Sequence, residues 1–297
     1  QGDVGPQGVQ GATGLGLGNV VVVDSINGND GLGVVNGHPF LTVNAAVTYV
    51  AGLTLPIGGV TVWIMPGTYA LSAGITIPNT CSIRGLSTQT TRLTYAASNP
   101  GGTATMLTMG ENTRVEDLSL TLTSTNTTTN LVGITLPGTT SVTSKLRTCV
   151  LTVDNSGLAV GTTTNVYGVL SNGAGTLSTA TFSFNMLKGS TINVKSNGQG
   201  NKFGIYMPSG VGSANQISTR DLNIYVAPPT DAASLGLYIG IYTDNDNSQI
   251  QLRATSVSGA PYPAVQNKLP VAIVATTNIT LTGLQTLQGV SLVAGDR

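Results

Sequence analysis

Four short segments of the chain read alike: Val132-Gly133-Ile134, Tyr167-Gly168-Val169, Phe203-Gly204-Ile205 and Ile239-Gly240-Ile241. Their glycines are 35, 36 and 36 residues apart, and a weaker fifth copy, Val271-Ala272-Ile273, follows 32 residues on. Self-similarity at a fixed period means that one supersecondary unit stacks on the next. Each unit is built of short β-type runs and turns. The chain is therefore expected to be all-β, a parallel β-helix in which every coil adds one strand to each of several sheets.

Strand-forming runs accompany these anchors. Leu118-Ser119-Leu120-Thr121-Leu122 alternates cleanly, with leucine inward and Ser/Thr outward. A second strand per rung is read at 149–153, 191–194, 222–226 and 250–252, and the last rungs at 271–274 and 279–281. Upstream, Val20–Val23, Val60–Met65 and Ile75–Ile77 are strands, with Pro66-Gly67-Thr68-Tyr69 read as the turn that ends the second. Within Pro39–Val50 the apolar positions 43, 46, 47 and 50 trace one helical face. Thr42 or Asn44 is placed to cap that helix and Gly52 to stop it. An amphipathic helix here is a lid for the open end of a solenoid core.

Residues 1–18 differ in kind. Glycine falls at 2, 5, 8, 11 and 14, every third position, with Pro6 among the residues between. This is the collagen Gly-X-Y pattern, in which only glycine fits at the axis of three wound chains. It implies a homotrimer. Five triplets are too short to hold three chains alone, so either the body sets the trimer or a longer stalk precedes the first residue. The series is already in phase at the first residue, and the chain reads as part of something longer. The division is then 1–18 stalk end, 19–87 cap and first rungs, 88–283 repeating rungs, and an apolar tail over 284–297 that caps the far end or joins chains.

Charge narrows the function. Only 8% of residues are charged, against 40% hydrophobic, and formal net charge is zero. The twelve Lys and Arg are scattered along the sequence. No basic stripe is visible to neutralise phosphates, which argues against nucleic acid. No apolar run reaches the roughly 20 residues of a membrane helix. Cys81 and Cys149 read as buried free thiols.

Gly28-Asn29-Asp30-Gly31, then Pro39 to Val47, then Val62 to Tyr69, then Ile75 to Gly85, resembles the first rungs of pectate-lyase-like right-handed β-helix proteins. That resemblance implies a right-handed coil, a short capping helix and a Pro-Gly-Thr-Tyr turn after the first strand. Joined to Gly-X-Y triplets, the whole resembles the collagen-repeat surface fibre proteins of large DNA viruses. The implied role is the structural or adhesive head of a trimeric fibre on a virion or extracellular surface. Its partners would be its own copies, neighbouring fibre proteins or a host glycan.

Proteins of this fold often cleave carbohydrate, which makes a polysaccharide hydrolase or lyase the alternative. Inverting hydrolysis needs two carboxylates roughly 6.5–9.5 Å apart. The chain has ten Asp and two Glu. Glu116, Asp117, Asp154 and Asp221 are the candidates. Glu116-Asp117 and Asp221 stand in similar places, just before a strand, each beside an arginine, Arg114 or Arg220, which suggests local ion pairs instead of catalysis. As sequence neighbours in a strand, Glu116 and Asp117 are expected on opposite sides. Asp244 and Asp246 form the best acid cluster for calcium, without the glycine and distal glutamate of a calcium loop. His38, the one histidine, has no triad context, and no cofactor motif is present; the Gly157–Gly161 stretch lacks the setting of a phosphate loop. Trp63 reads as core. Tyr206, Tyr225, Tyr238, Tyr242 and Tyr262 are candidates for stacking on sugars or packing inside. Asn126 and Asn278 lie in N-glycosylation patterns.

Overall fold

A computed structural model of the chain describes residues 19–54, 59–98, 101–124, 130–137, 143–156, 163–172, 185–208, 216–227, 236–243, 249–258, 271–275, 279–282, 286–288 and 291–292. The Gly-X-Y triplets, the Asp244/Asp246 cluster, Gly157–Gly161, Tyr262 and the sequons at Asn126 and Asn278 lie outside the described residues.

The chain is a right-handed parallel β-helix with three faces. Faces A and B are the halves of a fifteen-stranded sheet bent along its length, and face C is an eight-stranded sheet. A typical coil runs Arg114–Glu116 on A, Ser119–Ser124 on B and Asn130–Pro137 on C. The next is Lys145–Arg147, Val150–Asn155 and Asn165–Asn172. Gln216–Val226 and Gln249–Ser258 pass through the A/B corner without a break and supply both faces. Face A has nine layers, from Asn19–Val23 to Ile279–Thr282. At about 4.8 Å per layer the rod is about 40 Å long.

The register confirms the repeat. Val132, Tyr167, Phe203, Ile239 and Val271 are successive partners on face C, and so are Ile134, Val169, Ile205, Ile241 and Ile273. The interior is one continuous apolar column, with Leu120, Leu151, Ile192 and Ile224 stacked on face B. A side-chain ladder marks the start of face C. Asn165 Nδ2 donates to Asn130 Oδ1 at 3.0 Å, Asn201 N–H to Asn165 Oδ1 at 2.9 Å and Leu237 N–H to Asn201 Oδ1 at 3.2 Å. These bonds satisfy backbone and amide groups where the chain enters each strand.

The lid is the helix Val43–Ala51, whose Val43, Ala46, Val47 and Val50 are buried. Thr42 Oγ1 accepts from the Ala45 N–H, and Gly52 ends the helix. Asp30 ties down the same end, accepting from the Leu41 and Thr42 N–H groups and from the Thr42 hydroxyl. Asp24 holds the preceding turn. The Asn27 side chain and the Ile26 and Asn27 N–H groups donate to it and pull its carboxyl below the usual carboxylate range.

Three expectations are corrected and two strands are added. Gly67–Ala70 is a strand of face B that pairs with Thr91–Ala97, so only Met65 and Pro66 separate it from the strand before. Thr91–Ala97 and Thr103–Met109, which the sequence pattern does not mark, complete the coil that starts at Cys81–Arg84. Ile250-Gln251-Leu252 belongs to face A, paired with 217–219, and the face B stretch of that coil is 255–258. Trp63 points outward from face A, half-buried, with the Arg84 guanidinium 5.4 Å from its ring centroid.

Candidate functional site

Five successive coils turn from face A to face B at a single residue in the left-handed region. Asp117, Thr148, Gly189, Asp221 and Ala254 stack at this corner with φ of 58°, 50°, 57°, 52° and 44°. The turn breaks the alternation of side chains. Glu116 and Asp117 therefore do not point to opposite sides; both lie on the outer side of the corner, between the buried Val115 and Leu118. Their ion-pair partners also differ from the expected Arg114. Asp117 meets Arg84 of the coil below at 3.2 Å, and Glu116 meets Arg147 of the coil above at 3.2 Å. Asp221 does pair with its sequence neighbour Arg220, at 3.7 Å.

The other acids do not join them. Asp221 is three coils above Asp117 in the corner column, about 14 Å away. Asp154 stands at the far end of its face B strand, beside Lys195 of the next coil, and accepts from the Ser156 N–H and hydroxyl. Six residues of extended chain, about 20 Å, separate it from the corner. Of the four candidates, Glu116 and Asp117 alone are close neighbours, and both already face arginine. His38 is exposed, with Nδ1 3.1 Å from the Pro39 carbonyl.

Cations scattered in sequence are gathered by the fold. Arg84, Glu116, Arg147, Lys188, Arg220 and Arg253 are successive partners on face A. Arg114 and Lys145 form a second, adjacent column two residues away. Seven of the chain's twelve Lys and Arg thus project from one face, against Glu116, Asp117 and Asp221 as acids. The sequence reading missed this stripe. The signal was present: carrying the repeat through the charged residues puts these cations in register.

Face C presents a different surface. Leu131, Ile134 and Leu136 belong to the interior, so the inward pattern slips by one residue at Gly133. The slip recurs at Gly168 and Gly204. A Cβ on Gly204 would lie 2.3 Å from Ile224 Cγ2 and 2.5 Å from the Gly240 carbonyl oxygen, so only glycine fits. The slip places two columns, three residues apart, on the same outer side. Val132, Tyr167, Phe203 and Ile239 form a second, buried apolar cluster, flanked by the half-buried Leu170, Tyr206 and Tyr242. Ring centroids are 5.0 Å apart for Tyr167–Tyr206, 4.9 Å for Phe203–Tyr242 and 5.6 Å for Tyr206–Tyr242. Of the other candidate tyrosines, Tyr225 is half-buried on face B, and Tyr238 packs against Lys202.

Lys202 is buried on the inner side of face C, between Val166 and Tyr238 in register. Its Nζ donates to the Gly198 carbonyl and lies 4.5 Å from the Tyr238 ring centroid. Burial pulls its pKa down to about 7. Burial pushes the Cys81 and Cys149 thiols up to about 12, and both are free. Among the described residues no three His, Cys, Asp or Glu side chains gather as a metal site.

No protein-family model matches this chain, and no curated protein matches it in sequence. Solved structures do. A rhamnogalacturonan lyase is similar over 92% of this chain and 87% of its own, at 12% identity and a TM-score of 0.44. Pectin methylesterase PemA from Erwinia chrysanthemi is similar over 80% of each chain, at 11% identity and a TM-score of 0.36. A pectin methylesterase from carrot covers 88% of this chain and 90% of its own, at 12% identity and a TM-score of 0.35.

Proposed function

We propose that the chain is a carbohydrate-binding β-helix, the adhesive head of a three-chain fibre displayed on a virion or extracellular surface. The observation that carries the reading is the column of half-buried Leu170, Tyr206 and Tyr242 on the outer side of face C, backed by the buried rings of Tyr167 and Phe203. Tyr206 and Tyr242 combine apolar rings with polar hydroxyls, the mixture that suits a partner with both apolar and hydroxyl-bearing sides. The Gly-X-Y triplets supply the reason for three chains. Ile26, Leu32, Val34, Leu41 and Met65, exposed apolar side chains near the lid end, support contacts between copies where the stalk joins.

The test is a glycan array probed with the full chain and with Tyr206→Ala and Tyr242→Ala. Retention of a glycan by the parent and a tenfold or larger loss in both variants, with melting still cooperative, supports the reading. No retained glycan overturns the binding role. Light scattering of residues 1–297 and 19–297 tests the assembly: trimers are expected for the full chain, and a monomer overturns the three-chain reading.

One observation keeps a second reading, a polysaccharide-cleaving enzyme. Glu116 and Asp117 sit together on the outer side of the corner, where two carboxylates can face one substrate. Cleavage of a polysaccharide panel, abolished by Glu116→Gln or Asp117→Asn, would favour it over binding alone.

A further inference from the structure

Face A holds an arrangement that folding alone does not favour. Arg147, Lys188, Arg220 and Arg253 occupy four consecutive coils of one outward column. Like charges directly across neighbouring strands repel. Arg84–Asp117, Arg147–Glu116 and Arg220–Asp221 are paired. Among the described residues, no acid lies within ion-pair distance of Arg114, Lys145, Lys188 or Arg253. Seven cations against three acids leave this face at +4 in a chain of zero formal net charge. Faces B and C carry a smaller excess and no column of cations: their described cations are Arg92, Lys195 and the buried Lys202, against Asp154.

We propose that face A binds a linear, sulfated polysaccharide lying along the rod. The cations form a straight track with one position per coil, about 4.8 Å apart. Such a track matches a polymer with charge repeated at the length of a sugar ring. Two adjacent columns favour a chain that carries sulfates along both edges. The polymer must also compete with Glu116, Asp117 and Asp221 for three arginines, which favours more than one anion per ring. Arginine supplies the planar fork that grips an oxyanion through two bonds. A second copy of this chain is a poor occupant, because identical faces would set cation against cation. Single-stranded nucleic acid is read by interleaved aromatic platforms. The aromatic residue in these columns is Trp63, at one end and beneath Arg84.

This inference is independent of the aromatic strip on face C. The experiment measures binding of the full chain to immobilised heparin. The parent is expected to bind, with affinity falling on the order of 50-fold between 50 and 200 mM salt if about four cations release counterions. Lys188→Ser/Arg253→Ser and Arg114→Ser/Lys145→Ser should each weaken binding at least tenfold, with an unchanged melting temperature. Lys195→Ser, on face B, should leave it within twofold. Equal loss from the face B variant, or no loss from either face A pair, overturns the proposal. So does tighter binding of a single-stranded oligonucleotide of equal charge.

Discussion

Face A and face C are strands of the same coils, wound around the same apolar interior, yet their outer surfaces have little in common. Face A keeps strict alternation. Arg114, Val115 and Glu116 point out, in and out, and every outward position is free to carry charge. Face C breaks alternation at Gly133, Gly168 and Gly204 in three successive coils, and there its outer side becomes a second apolar cluster with aromatic rings. The inside of a β-helix dictates residue type almost position by position, because each side chain packs against the coils above and below. The outside is dictated only where the backbone departs from regularity. Where the slip falls on a glycine, as at Gly204, the close approach of the next coil leaves no room for a side chain there.

The sharpest way to break this difference is to refill the glycine. Gly204→Val forces a branched side chain against Ile224 and the Gly240 backbone, and a backbone atom cannot move aside as a flexible side chain can. Overpacking of this kind is expected to lower stability by about 3 kcal/mol or more. The same residue placed outward on face A, Lys188→Val, is expected to stay within about 0.5 kcal/mol. Urea denaturation of the two variants measures the contrast. Equal effects would mean that the glycine column is not what shapes face C.

The next test sets an inward cation against an outward one. Lys202 has a pKa of about 7 in the folded chain and an ordinary value of 10.5 when unfolded. Between these values the unfolded chain binds more protons. Stability therefore rises with pH from about 7 to about 10.5, by up to about 1.4 kcal/mol per unit. Below pH 7 both states are protonated, and the penalty for burying the ammonium is complete and constant. Lys202→Met should abolish this slope and stabilise the protein most at neutral pH and below. Lys188→Met should leave the slope intact. Denaturation midpoints at pH 6, 8 and 9.5 decide it; an unchanged slope in Lys202→Met would place the amine in water.

Much of the inside was legible from sequence, and little of the outside was. The 35- and 36-residue spacing located face C and its register because glycine and aliphatic residues recur there under packing pressure. The lid helix was legible through its four apolar positions, Thr42 and Gly52. Gly67–Ala70 was misread because a Pro-Gly pair marks a turn, while here the bend is complete before the glycine begins to pair. The face B strand at 255–258 was missed because Gln249–Ser258 crosses the corner with Ala254, which carries no turn signal. The basic track escaped notice because its members lie 31 to 41 residues apart and face no packing partner. For the same reason Glu116 and Asp117 were assigned to opposite sides: alternation fails wherever a left-handed residue intervenes, and an aspartate does not announce one.

A smaller effect tests the ion pairs of face A. Arg147→Ala removes the partner of Glu116 at 3.2 Å. The arginine is well exposed, so the loss is expected to be at most about 1 kcal/mol and to shrink with salt. A loss of several kcal/mol, unmoved by 0.5 M salt, would make the pair part of the fold's frame and not of its surface.

The smallest expected effect concerns the corner where face A ends. Five stacked residues adopt the left-handed conformation there, and only Gly189 does so without a Cβ penalty. The penalty for an ordinary residue is about 1–2 kcal/mol, and glycine returns about 0.5–1 kcal/mol of that through its greater freedom when unfolded. Thr148→Gly should therefore stabilise the chain by about 0.5 kcal/mol. Thr148 is exposed and belongs to neither ion pair, so no charge contact offsets the gain. Asp117→Gly starts from the same backbone but surrenders the bond to Arg84, and it should come out near neutral. Comparing the two separates backbone strain from charge at one structural position. If Thr148→Gly destabilises instead, the corner is held by the threonine side chain, and the boundary between faces A and B is set by packing and not by the turn.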